Sequence, residues 1–146
     1  MTTTTNTSRR QFIVGSSAIA TGLAIGFDLI DDRKSKTIDK IKTLIIDLVQ
    51  NKNNDLKSNL SSYISQELHQ DYNTLSNLFS EVENTTIEKY FINQKIEKVK
   101  ELIIYDELSL SQIAYSLNYS TVSHLSNQFK KVTGFSPTYF KNRKTI

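Results

Sequence analysis

Two segments of this chain repeat one another at a fixed spacing, and that repeat restricts the possible folds more than any other feature. Leu75-Ser76-Asn77-Leu78-Phe79 matches Leu125-Ser126-Asn127-Gln128-Phe129 at an offset of 50 residues, and the same offset pairs Val82 with Val132, Asn84 with Gly134, Thr86 with Ser136 and Tyr90 with Phe140. Upstream, Ile64 pairs with Ile113 and Leu68 with Leu117 at an offset of 49. The single-residue change falls between two helical patterns. The two copies therefore share their helices and differ in the length of the turn between them.

The second copy, Ser109 to Arg143, carries the clearer local signals. Ser109 and Gln112 form an S-x-x-Q capping box at the start of a helix whose apolar side holds Ile113, Ala114 and Leu117. That helix runs out at Asn118-Tyr119. Asn tolerates positive φ, so Asn118 can make a sharp turn into a second helix that Ser120 is placed to cap. In the second helix Val122, Leu125, Phe129 and Val132 recur at steps of three, four and three, forming one apolar stripe. The other face shows Ser120, Ser123, His124, Asn127, Lys130 and Lys131, polar and free of acids. Gly134 suits a helix C-terminus, and Ser136-Pro137 suits the start of another helix.

In the first copy Leu60, Ile64 and Leu68 mark the shorter helix. Asp71 is expected to cap the second, whose buried stripe is Tyr72, Leu75, Phe79 and Val82 and whose exposed face shows Asn73, Thr74, Ser76 and Asn77. Thr85 and Glu88 read as a capping box that opens a long helix running to Tyr105, with Tyr90, Ile92, Ile96, Val99, Leu102 and Ile103 as its apolar positions. At about 18 to 20 residues it spans roughly 30 Å. A short helix, a tight turn and a second helix with an exposed polar face is a helix-turn-helix. The expected fold is all-α: a first helix-turn-helix at about 59–84, a linker helix at 86–105, a second helix-turn-helix at about 109–133 and a terminal helix at 136–144. An amphipathic helix from Ile38 to about Gln50, carrying Ile41, Leu44, Ile45 and Leu48, precedes them.

Leu110-Ser111-Gln112-Ile113-Ala114, followed by Leu125-Ser126-x-x-Phe129-Lys130-Lys131-x-x-Gly134-x-Ser136-Pro137-x-x-Phe140, resembles the signature of the AraC/XylS-type transcriptional regulators. The resemblance covers roughly Ile38 to Arg143. It implies a DNA-binding domain of two helix-turn-helix units joined by a long helix, with RNA polymerase as a protein partner. The shorter first turn is also the family's habit. The chain departs from the family at Asn118 and Asn84, where Gly is usual, and at Ser80-Glu81, where Lys-Lys is usual. The second departure weakens the expectation of phosphate contacts by the first copy.

Side-chain chemistry on the two faces suits base reading. Asn pairs bidentately with adenine, and Ser and Thr serve several bases, each good bidentate pair discriminating by about 1–3 kcal/mol. The base-reading candidates are Asn73, Ser76 and Asn77 from the first copy and Ser123, His124 and Asn127 from the second. Lys130, Lys131, Lys141, Arg143 and Lys144 are the phosphate candidates. From Leu108 to Ile146 there are five Lys/Arg and no acids, whereas Leu44 to Glu88 holds two Lys against seven acids, a net of −5. The second copy is thus expected to supply most of the affinity and the first to refine specificity. A linker of about 30 Å matches the roughly 34 Å between successive major-groove faces, so both helices can reach one side of a duplex.

Other chemistry finds little support. The 146 residues include no Cys, which removes disulfides, thiolate zinc sites and cysteine nucleophiles. His69 and His124 are 55 residues apart with no third ligand at metal spacing, and Gly15, Gly22 and Gly26 do not form a phosphate loop. Adjacent acids at Asp31-Asp32 and Asp106-Glu107 fit helix ends. The expectation is a non-enzymatic protein without cofactor or metal, without a small-molecule effector domain, acting on double-stranded DNA as a monomer or weak dimer in the cytoplasm.

The N-terminus points elsewhere. Ser8-Arg9-Arg10-Gln11-Phe12, followed by a weakly apolar Gly/Ala/Ser stretch to about Phe27, resembles a twin-arginine export signal, with Arg9 and Arg10 as its core. No small-x-small cleavage site follows the apolar core, and Ala18-Ile19-Ala20 lies inside it. The segment reads as a signal-like or disordered tail over 1–28, then a charged link over 29–37. It sustains an alternative function: an exported or membrane-tethered helical interaction protein.

Overall fold

The computed structural model describes residues 25–52, 56 and 58–143, with side chains from Asp32 onward. Its described residues form seven helices and no strand: α1 (Ile25–Asn51), α2 (Leu60–Leu68), α3 (Tyr72–Glu83), α4 (Ile87–Tyr105), α5 (Leu110–Ser116), α6 (Val122–Thr133) and α7 (Pro137–Arg143). The all-α expectation and the order of the two helix-turn-helix units hold.

The chain divides into two compact units, residues 1–37 and 38–146. In the first, the expected charged link at 29–37 is helical, as the opening turns of α1. Its charges favour this: Lys36 pairs with Asp32 at 3.2 Å with i,i+4 spacing, and the Thr37 hydroxyl donates to the Arg33 carbonyl at 3.0 Å.

The second unit has two cores. Ile38, Ile41, Ile45, Ile64, Leu75, Phe79 and Ile87 form one, closing α2 and α3 against α1 and the start of α4. Ile96, Val99, Ile103, Ile113, Leu117, Leu125 and Phe129 form the other, closing α5 and α6 against the rest of α4. Helix α4 is common to both.

The repeat in sequence is a repeat in geometry. Phe79 meets Tyr90 edge-on at 5.6 Å and 68°, and Phe129 meets Phe140 at 5.7 Å and 69°, the same offset of 50 at both rings. Asn84 and Gly134 both end their helices at positive φ, 57° and 88°, each donating its N–H four residues back, to Ser80 and Lys130. Thr86 and Ser136 both cap the next helix, accepting from the N–H of Lys89 and Tyr139 at 3.0 and 3.1 Å. Between α2 and α3, His69 takes the left-handed conformation at φ 54°; between α5 and α6 its counterpart at offset 49, Asn118, takes it at φ 64°. The second turn then has one residue more, and its Tyr119 is buried in the second core.

Local expectations hold at Ser109–Gln112, where both halves of the capping box form (2.8 and 3.1 Å), and at Asp71, whose carboxylate accepts from the Thr74 N–H at 3.1 Å. Three need correction. Thr86, not Thr85, caps α4, so Glu88 falls too early for a box and instead accepts from the Tyr72 hydroxyl. Thr121, not Ser120, caps α6, accepting from the His124 N–H at 2.9 Å. Val82 and Val132 do not complete the buried stripes: they are 48% and 42% exposed, in the last turns of α3 and α6.

The pattern also hid Lys95, which is only 9% exposed. It sits on the apolar side of α4 beside Ile96, with its ammonium 4.4 Å from the Tyr119 ring centre and 5.0 Å from that of Phe91. Burial pushes its pKa below the ordinary 10.5, and the two ring faces partly offset that cost.

Two measurements follow from this packing. Phe79→Ala and Phe129→Ala are each expected to lower unfolding free energy by about 3–5 kcal/mol, read from urea denaturation. Lys95 makes stability depend on pH with a definite sign. As pH approaches 10.5, the unfolded chain holds a proton that the folded chain has already released, so stability rises with pH. Tyr119, whose phenol burial holds protonated beyond its ordinary 10.0, acts in the opposite sense only above that value. Urea midpoints below pH 10 should therefore rise relative to a Lys95→Met variant, which lacks the titrating ammonium; parallel curves would remove Lys95 as the cause.

Candidate nucleic-acid interface

Each exposed face is set by what its helix buries. Helix α6 buries Leu125 and Phe129, which turns Ser123, His124, Asn127, Lys130 and Lys131 outward, and all five are exposed. Helix α3 buries Leu75 and Phe79, exposing Asn73, Thr74 and Asn77. Ser76, grouped with them from sequence, is half-buried. Asn73, Asn77, Ser123 and Asn127 have no side-chain hydrogen bond to other described residues, so their amides and hydroxyl are available to a ligand.

His124 is held more firmly. Its Nδ1 lies 3.3 Å from the Ser120 hydroxyl, and its ring meets Tyr119 edge-on at 5.1 Å. The Tyr119 hydroxyl in turn donates to Gln128 Oε1 at 2.6 Å. The longer second turn thus braces the first half of α6, and leaves His124 Nε2 as the ring nitrogen without a partner among the described residues.

The cations differ in their freedom. Lys130 and Lys131, in the last turn of α6, have no acidic partner among the described residues. Lys141 pairs with Asp106 at 3.2 Å. Arg143 donates to the Tyr139 hydroxyl at 3.0 Å, its guanidinium 5.7 Å from that ring's centre. Lys144, and Arg9 and Arg10 of the export-like segment, lie outside the described residues. Of the first copy's acids, Glu83 is paired with Lys42 at 2.7 Å and Glu88 takes the Tyr72 hydroxyl, while Glu81 is exposed.

Two grooves adjoin these elements. One, of about 560 Å³, is lined by Lys100, Ile104, Thr133, Phe135, Tyr139, Phe140 and Arg143. The other, of about 310 Å³, runs between α4 and α6 and is lined by Lys89, Ile92, Asn93, Gln128, Lys131 and Val132. Sequence reasoning missed Lys89 and Tyr119. Lys89 gives no sign in sequence that it faces another helix, whereas Tyr119 is flagged by its place directly after the left-handed Asn118. Among the described residues no cluster of His, Asp and Glu could hold a metal, and no helix is long and apolar enough to cross a membrane.

A family model described as a helix-turn-helix domain matches residues 64–143, more than half of the chain. No protein of curated function matches the chain significantly. Among solved structures, the chain is similar to a transcriptional regulator with an AraC-type DNA-binding domain from Chromobacterium violaceum, at 16% identity and TM-score 0.66, covering 75% of this chain and 93% of that one. It is similar to the C-terminal domain of AraT, a response regulator from Geobacillus stearothermophilus, at 21% identity and TM-score 0.63, covering 73% and 84%. It is also similar to a DNA-binding transcriptional dual regulator from Escherichia coli K-12, at 23% identity and TM-score 0.60, covering 72% and 92%. With its repeated helix-turn-helix, its exposed polar recognition faces and the extent of the family match, the chain belongs to the AraC-type helix-turn-helix family and is a DNA-binding transcription regulator.

Proposed function

We propose that the protein reads double-stranded DNA in a sequence-specific way by inserting α3 and α6 into successive major-groove turns on one side of the duplex. The observation that carries this reading is the acid-free outer face of α6, where Ser123, His124 and Asn127 lead into Lys130 and Lys131 with no acid among the described residues paired to them. Asn73, Ser76 and Asn77 are the corresponding readers on α3. Ser76 contributes least, because it is half-buried where Asn73 and Asn77 are exposed.

Helix α4 has 19 residues and so measures about 28 Å, close to the roughly 34 Å between adjacent groove faces. One chain thus carries two readers, so a monomer suffices for binding, with RNA polymerase as the protein partner. Lys130 and Lys131 serve as the principal phosphate contacts, while Lys141 and Arg143 are held by Asp106 and Tyr139 and contribute less. The basic second copy supplies most of the affinity and the acidic first copy adds discrimination.

Selection of bound duplexes from a random pool with the purified protein tests the reading, and a motif of two boxes about one helical turn apart is expected. Absence of any recovered motif contradicts sequence-specific binding. On the selected site, Asn127→Ala should cost about 1–3 kcal/mol and relax preference at one position of one box. Lys130→Ala should instead weaken all sequences alike and reduce the slope of log affinity against log salt by about 0.9. Lys141→Ala should change that slope much less.

A further inference from the structure

A duplex read by two helices in successive major grooves presents the intervening minor groove, with its two phosphate backbones, to whatever spans the space between them. In this fold the spanning element is α4. Most of its cations are engaged: Lys98 with Glu101 at 3.5 Å, Lys100 with Glu97 at 2.8 Å, and Lys95 buried between rings. Lys89 is different. It is exposed, has no acidic partner among the described residues, and lines the groove of about 310 Å³ between α4 and α6.

That groove continues the recognition face. Gln128 and Lys131 on its α6 wall lie one turn beyond His124 and Asn127, so a strand leaving the base-reading side chains meets them next. From α4 it is lined by Lys89, Asn93 and Ile92, and Val132 of α6 adds a second apolar side chain to its lining. Val132 is 42% exposed, which explains why it does not complete the α6 core stripe. One lysine from each helix, neither with an acidic partner among the described residues, suits phosphates, and the apolar Ile92 and Val132 in the same lining suit the CH edges of deoxyribose.

We infer that this groove is a backbone-binding site: Lys89 and Lys131 clamp phosphates of one DNA strand between the two major-groove boxes, with the sugar against Ile92 and Val132. The inference rests on the two-box reading above. It adds Lys89 to the phosphate contacts and gives the linker helix a direct part in binding. A basic contact from α4 also offsets the acid at Glu81, which stands at the position matching Lys131 in the first copy.

The test is the salt dependence of affinity for the selected duplex, measured for the full chain, Lys89→Ala, Lys89→Arg, Lys131→Ala and the double alanine variant. Removing one phosphate contact should lower the slope of log affinity against log salt by about 0.9, and removing both by about 1.8. Lys89→Ala should weaken binding several-fold for the selected and scrambled duplexes alike, leave the preferred sequence unchanged, and be rescued by Lys89→Arg. Lys100→Ala, whose charge is paired with Glu97, serves as the control and should leave the slope unchanged. A Lys89→Ala slope equal to that of the unaltered protein, with sequence preference intact, overturns the inference alone. Loss of sequence preference in the unaltered protein overturns the two-box reading and the inference with it.

Discussion

The packing of α4 into two cores at once is the constraint on which the rest of this molecule depends. Ile87 closes the first core, and Ile96, Val99 and Ile103 enter the second, so one continuous backbone fixes both helix-turn-helix units. An uninterrupted helix is stiff over its length, because bending it requires lengthening or breaking its internal hydrogen bonds. The separation of α3 and α6 is therefore set by the number of residues in α4. Function then follows from geometry: two exposed polar faces carried on one linker helix of 19 residues.

Duplication explains why so few residues specify so much. The same ring pair, the same left-handed helix end and the same hydroxyl cap recur at a 50-residue offset. What differs is confined to the turn and the outer faces. The longer second turn places Tyr119 in the core, where it meets Lys95, Gln128 and His124 and ties α4 to the start of α6. The first copy has a different tie, the Tyr72 hydroxyl at the start of α3 donating to Glu88 of α4, and its outer face ends in Glu81 rather than lysine. The two copies keep one scaffold and diverge in grip.

The helices and their order were legible in sequence because apolar periodicity, Asp71, the Ser109–Gln112 box and Gly134 all pointed to the same boundaries. Adjacent hydroxyls were not separable in the same way. Thr85 and Thr86, or Ser120 and Thr121, are equally good caps chemically, and only the backbone decides which one is extended. Periodicity also assigned Val82 and Val132 to the core, since it cannot show where a partner helix ends. For the site, the composition of the α3 and α6 faces was legible, but not the state of each charge. That Lys141 faces Asp106, that Glu83 faces Lys42, and that Lys89 shares a groove with Lys131 all depend on side chains brought together by tertiary packing.

Spacing between the two boxes is the most direct probe of the central claim. The measurement is affinity for the selected duplex before and after insertion of roughly five base pairs, about half a helical turn, between its boxes. A linker that fixes the separation of α3 and α6 predicts that the insertion carries one box to the far side of the duplex and lowers affinity to that of a single box. Affinity unchanged by the insertion would contradict a rigid two-box reader.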